Sequence, residues 1–156
     1  MALGHRRVSG NPFSAPAPDS PHDLLETSTK ALVAAIRACN FPMQPKLVIN
    51  SSQGVGPSWS SMALPIKFIF SHAAAMKMGL KDHERVDALV RESGMPFVLG
   101  RPTVLTEGAA KTVRAWADDG KGMPWMPSIT RESLAEWLVD AVEKSEWNGR
   151  APVITN

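Results

Sequence analysis

The chain contains no tyrosine and a single cysteine, Cys39, among its 156 residues. The first absence removes any phenolic proton donor. The second removes any internal disulfide and fits a reducing compartment. No stretch of roughly eighteen or more apolar residues occurs, so no helical membrane span is expected. The amino terminus, MALGHRRVSGNPFSAPAP, lacks the apolar core of a secretion signal, which makes the cytoplasm the expected compartment. Strong charge of one sign is missing as well. The net charge is +2 and the densest basic run is Arg6-Arg7, too little to argue for nucleic acid. Phosphate-gripping glycine loops, GxSxG, HExxH and CxxC patterns are all absent.

What is present reads as one α/β domain. An apolar fraction of 44% and a charged fraction of 21% are those of an ordinary globular protein. The stretch Lys81–Glu107 carries most of the information. A charged amphipathic helix from about Asp82 to Glu92 ends at Ser93-Gly94. A buried strand from Pro96 to Arg101 follows, and it runs into Gly-Arg-Pro-Thr. In doubly wound sheets, ligands occupy the crevice outside the carboxyl ends of such strands. Upstream, the Pro-rich stretch from Asn11 to Asp19 reads as an extended loop. Ser20 is expected to cap a helix whose stripe is Leu25, Leu32, Ile36 and Cys39, with Phe41-Pro42 as its stop. Lys46–Asn50 reads as a buried parallel strand released into Ser51-Ser52-Gln53-Gly54-Val55-Gly56. Pro57–Leu80 is mixed and apolar, with room for a short helix over a pocket. Thr112–Trp116 has weak strand character, Asp118–Gly122 is a turn, Thr130 caps a helix to about Lys144, and Val153–Thr155 is a closing strand.

Several residues are candidates for chemistry, each with a plainer alternative. Ser51 and Ser52 end a strand with hydroxyls free to face a carbonyl or nicotinamide amide, or to bond local backbone. His83 titrates near neutrality and suits a proton donor. Taken alone it is more often a solvent-facing residue at a helix start, beside Asp82 as the cap. Arg101-Pro102-Thr103-Val104 leaves its strand at the crevice, where the amides of Thr103 and Val104 can meet a carboxamide; alternatively it only ends the strand. Trp59, Trp125 and Met126 either shape a substrate pocket or pack in a core. Asp82, Asp118 and Asp119 lack metal-ligand spacing, and a solvated turn is expected at 118–119. Cys39, on an apolar stripe, is expected to be a buried inert thiol.

Taken in order, these segments resemble the atypical short-chain dehydrogenase/reductases with NAD(P)-binding folds, among them the biliverdin-IXβ/flavin reductases and the NmrA-like fungal proteins. The motifs are DHERVDALVRESGMPFVLGRP, VINSSQG, and DGKGMPWMPSITRESLAEWLVDAVEKSEWNGRAPVIT. The resemblance implies a Rossmann-like sheet, NADP or NAD as cofactor, and a small conjugated or aromatic substrate. It also implies Ser52 beside the nicotinamide, His83 lining the site, and the 101–104 loop around the nicotinamide. Two features depart from the family. The GxxGxxG loop is absent, with Met1-Ala2-Leu3-Gly4 standing where a fourth strand would end. The Tyr-x-x-x-Lys donor is absent too, as it is in the atypical members. The resemblance therefore implies the carboxyl-terminal portion of the domain, lacking its amino-terminal strands. Weakened cofactor binding and self-association through an exposed sheet edge follow from that reading. Three functions stay open: a reductase tailoring a fungal secondary metabolite, a non-catalytic NAD(P)-sensing or partner-binding protein, and an inactive truncated product.

Overall fold

The computed structural model describes residues Gly4–Asn156, so the reading of Met1-Ala2-Leu3 as part of a strand end lies outside the described residues. The chain divides into two compact units, residues 1–43 with 64–94 and residues 44–63 with 95–156.

The first unit is helical: α1 (Leu24–Ala38), α2 (Leu64–His72) and α3 (Ala74–Glu92), with α3 packed against both α1 and α2. Helix α1 starts later than Ser20, whose hydroxyl instead accepts the Arg6 N–H at 3.0 Å. Asp23 occupies the cap position without a side-chain capping bond, and the free N–H groups of the first turn find a partner elsewhere. The Asp82 carboxylate of α3, fully buried, accepts from Leu25 N–H at 2.8 Å and Glu26 N–H at 3.1 Å. His5 Nε2 at 2.7 Å and Arg85 at 3.1 Å complete its surroundings. The buried face of α1 is Thr29 and Val33, while Leu32 is exposed. Cys39 closes the helix in extended conformation and is exposed, which corrects the expected buried thiol. Helix α3 begins eight residues before the expected start, so His83 lies mid-helix and Asp82 does not cap its own helix.

The second unit carries the described strands: β1 (Leu47–Asn50), β2 (Phe97–Pro102), β3 (Val104–Thr106), β4 (Arg114–Trp116), β5 (Ser128–Thr130) and β6 (Val153–Thr155), with α4 (Arg131–Glu143). One sheet has the order β1-β2-β6-β4. Its first three strands are parallel and β4 is antiparallel to β6. Strands β3 and β5, not expected from the sequence, form a second parallel pair. Thr130 caps α4 as expected, its hydroxyl accepting from Ser133 N–H at 3.1 Å. Helix α4 packs on β1 and β2 through Val98, Leu134, Trp137, Ala141 and Ile154, with Val48 against this cluster. Gly100 is required there, because a Cβ would stand 2.8 Å from the Trp137 ring.

Candidate functional site

Strand alternation decides which side chains meet at the carboxyl ends of β1 and β2. Val48 and Val98 face α4, and Gly100 lies under Trp137. Residues in the opposite phase therefore project from the other face of the sheet. The β1 ladder continues past its last strand residue: Ser51 N–H donates to Gly100 O at 2.7 Å and Gln53 N–H to Pro102 O at 3.0 Å. Ser51 and Gln53 thus share the face away from α4 with Arg101 and Thr103 of the neighbouring strand. All four are buried, at 5%, 6%, 1% and 6% exposure. Four polar side chains buried together at strand ends need partners. Some have them and some do not.

Thr103 is fully engaged within the fold, since its N–H and its hydroxyl both reach Ile154 O, at 3.2 and 3.3 Å. Its amide is not waiting for a carboxamide, as the sequence had suggested. Arg101 lies within β2, and its guanidinium donates to Asp118 O at 2.9 Å. Asp118 also accepts Ala151 N–H at 3.0 Å, so it anchors the turn to the start of β6 rather than standing in solvent. Pro102 pairs with Ile154, and Val104 belongs to β3 opposite Ser128. The 101–104 segment is thus a structural joint between strands. By contrast, the Ser51 hydroxyl and the Gln53 Nε2 are buried without a partner among the described residues. Ser52 is half-buried, and its hydroxyl donates to Gln53 O at 3.0 Å.

Gly54, at φ 104°, turns the chain at once, and its N–H donates to the buried Ser58 hydroxyl at 3.0 Å. Gly56 passes beside the Arg101 guanidinium, where an added Cβ would meet Nη2 at 3.4 Å, an ordinary contact, so its left-handed backbone at φ 56° is what favours glycine here. The loop then passes Trp59 to Ser60 and Ser61. Beyond them a cleft of about 310 Å³ opens against Asp119, Gly120, Lys121, Gly122 and Met123. This polar cleft was missed in the sequence, although the Gly120 and Gly122 turn was its signal. Trp125 is 78% exposed and lines neither the cleft nor the core. Trp59 is half-buried.

His83 belongs to the first unit, whereas Ser52 belongs to the second. Burial pushes the His83 imidazole down from 6.5 to about 4. The adjacent Asp82 charge opposes that shift and His5 adds to it. His83 is therefore neutral across the physiological range and does not match the neutral-range proton donor expected from its residue type. Among the described residues no cluster of three His, Cys, Asp or Glu side chains could hold a metal. No helix among them is long and apolar enough to cross a membrane.

Residues 9–145 match the family model described as NAD(P)H-binding. The chain belongs to the NAD(P)H-binding family. No curated protein matches it. Solved structures share its Rossmann-like fold at low identity. A Lactobacillus casei protein superposes with a TM-score of 0.63 at 15% identity, covering 99% of this chain and 68% of that one. A short-chain dehydrogenase/reductase from Veillonella parvula, solved with NADP, gives 0.62 at 12% identity, covering 83% and 58%. ChuY, an anaerobilin reductase from Escherichia coli O157:H7, gives 0.58 at 16% identity, covering 85% and 72%. In another ChuY structure, from strain CFT073, the chain spans 56% of the matched length. The cofactor of the family is NAD(P)H. The unpartnered Ser51 hydroxyl and Gln53 amide fit its amide-bearing nicotinamide end, whereas no glycine loop of the sequence fits its pyrophosphate.

Proposed function

We propose that this member of the family is an NAD(P)H-dependent reductase of a small conjugated or aromatic carbonyl compound. The observation that carries the reading is the pair of serines at the end of β1. Ser51 is buried with an unsatisfied hydroxyl, and Ser52 is half-buried with a hydroxyl that only a neighbouring carbonyl engages. When bound, the cofactor supplies the hydride. The chain's own part is to hold and polarise. Ser52 turns from Gln53 O to the substrate oxygen as that oxygen gains charge, and the proton comes from water, because His83 stays neutral. The cleft lined by Ser60, Ser61 and Lys121 admits the rest of the substrate. Tailoring of a fungal secondary metabolite in the cytoplasm is the setting we favour, with no nucleic-acid or membrane partner. Self-association through the β1 edge belongs to the same proposal, because among the described residues β1 has a strand neighbour on one side only.

A second reading, NAD(P) sensing without turnover of the NmrA-like kind, is favoured by one fact: the Ser52 hydroxyl already donates to the neighbouring Gln53 carbonyl. Following NADPH oxidation with 9,10-phenanthrenequinone separates the two. The reductase reading expects turnover, lowered by Ser52→Ala about tenfold to a hundredfold with a smaller change in NADPH affinity. Cofactor binding with no turnover under any condition would leave the sensor.

A further inference from the structure

Gln53 plays no catalytic part in the reading above, yet its side chain is the least explained in the second unit. It is 6% exposed, and its Nε2 finds no acceptor among the described residues. A buried amide nitrogen with two hydrogens and no acceptor bears the full cost of leaving water. Its backbone leaves little freedom to relieve that cost. Gln53 N–H is fixed to Pro102 O, and Gly54 turns the chain directly after it. The side chain is therefore delivered to the strand-end face by register, next in phase after Ser51.

The neighbours on that face narrow what can satisfy it. Thr103 is spent on Ile154 O, and Arg101 donates to Asp118 O. The Ser51 Oγ on that face is, like Gln53 Nε2, buried without a partner among the described residues. An amide NH2 and a hydroxyl form a neutral donor pair. Such a pair suits a neutral carbonyl oxygen, whereas phosphate or carboxylate recognition uses Arg, Lys or a helix terminus. Two sources bring that oxygen: the carboxamide of a nicotinamide, or the carbonyl of a substrate.

We infer that Gln53 is a ligand-binding residue whose Nε2 donates to a carbonyl oxygen of the bound cofactor or substrate, with the Ser51 hydroxyl as the second contact. The inference rests on the reductase reading of the same strand end. It adds a residue that holds the oxygen and the chemical class of what is held.

The test begins with the unaltered protein. In ¹⁵N-labelled chain, the side-chain NH2 pair of Gln53, assigned by its disappearance in Gln53→Met, is followed while NADPH and then 2′,5′-ADP are added. If the oxygen belongs to the carboxamide, the pair shifts with NADPH but not with 2′,5′-ADP, which has no nicotinamide. Gln53→Met then weakens NADPH binding about tenfold, while 2′,5′-ADP is held equally. If the oxygen belongs to the substrate, NADPH affinity is unchanged and the KM for 9,10-phenanthrenequinone rises about tenfold, with the pair shifting only on quinone addition. A Gln53 pair unmoved by either compound, in a protein that binds NADPH, overturns the assignment and leaves the reductase reading standing. A wild-type chain that neither binds nor oxidises NADPH overturns both. Should Gln53→Met fail to fold, Gln53→Glu, equal in size and without the NH2, supplies the assignment and the affinities.

Discussion

Two adjacent residues of α3 show how little residue type says about role without environment. Asp82 and His83 read as a helix start with a solvent-facing imidazole. In the fold, Asp82 is fully buried with several donors around it, and His83 is held neutral. The sign of the consequence for stability follows from the direction of the shift. The His83 pKa falls from 6.5 to about 4 on folding, so the unfolded chain binds the proton more readily. Stability is therefore intact above about pH 6.5 and is lost as pH falls toward 4, by an upper bound of roughly 3 kcal/mol. Thermal unfolding measured at intervals from pH 7 to 4 should show His83→Gln losing less Tm than wild type over that window. Parallel curves for the two proteins would mean that His83 is not buried neutral. The same value accounts for a pH–rate profile that His83→Gln is expected to leave unchanged between about pH 6 and 8.

Among the elements, those legible in the sequence are the ones whose signals are local. Lys46–Asn50, Pro96–Arg101 and Val153–Thr155 are short apolar runs bounded by turn residues, and each forms a strand within a residue or two of its expected limits. Thr130 caps α4 through a bond three residues away. The misreadings involve partners distant in sequence. Strands β3 and β5 are three residues each and exist through their mutual pairing, so neither announces itself alone. The cap of α1 comes from Asp82, 57 residues beyond Leu25, and no local pattern around Ser20 reveals it. That contact joins two helices through one carboxylate, which makes it energetically exposed. Asp82→Ala strips the α1 amides of their acceptor and leaves Arg85 and His5 without it. Chemical denaturation should show a loss of about 3–5 kcal/mol. A loss below about 1 kcal/mol would mean that water or Asp23 caps α1 equally well.

Across the whole molecule, the fold class and the family were legible because they rest on the order of elements, a property of the complete chain. The site was legible only in outline. The sequence pointed to the end of β1, and there the structure distinguishes three neighbours that a sequence treats alike. Ser52 donates to the Gln53 carbonyl, the Ser51 hydroxyl is buried and unpaired among the described residues, and Gln53 was overlooked because glutamine in a loop usually signals nothing. The 101–104 segment attracted attention for its position, yet its hydrogen bonds are consumed in joining strands, a fact that resides in Ile154 and Asp118. The central claim is that this chain receives the nicotinamide end of NAD(P)H while offering no glycine loop to the pyrophosphate. Titration of NADPH against the five tryptophans, read as energy transfer to the reduced nicotinamide, tests it directly. Saturable binding is expected with a Kd of about 0.1–1 mM, or ~4–5.5 kcal/mol. Absence of saturation by roughly 10 mM, beyond even the weakest binding in that range, would contradict the claim.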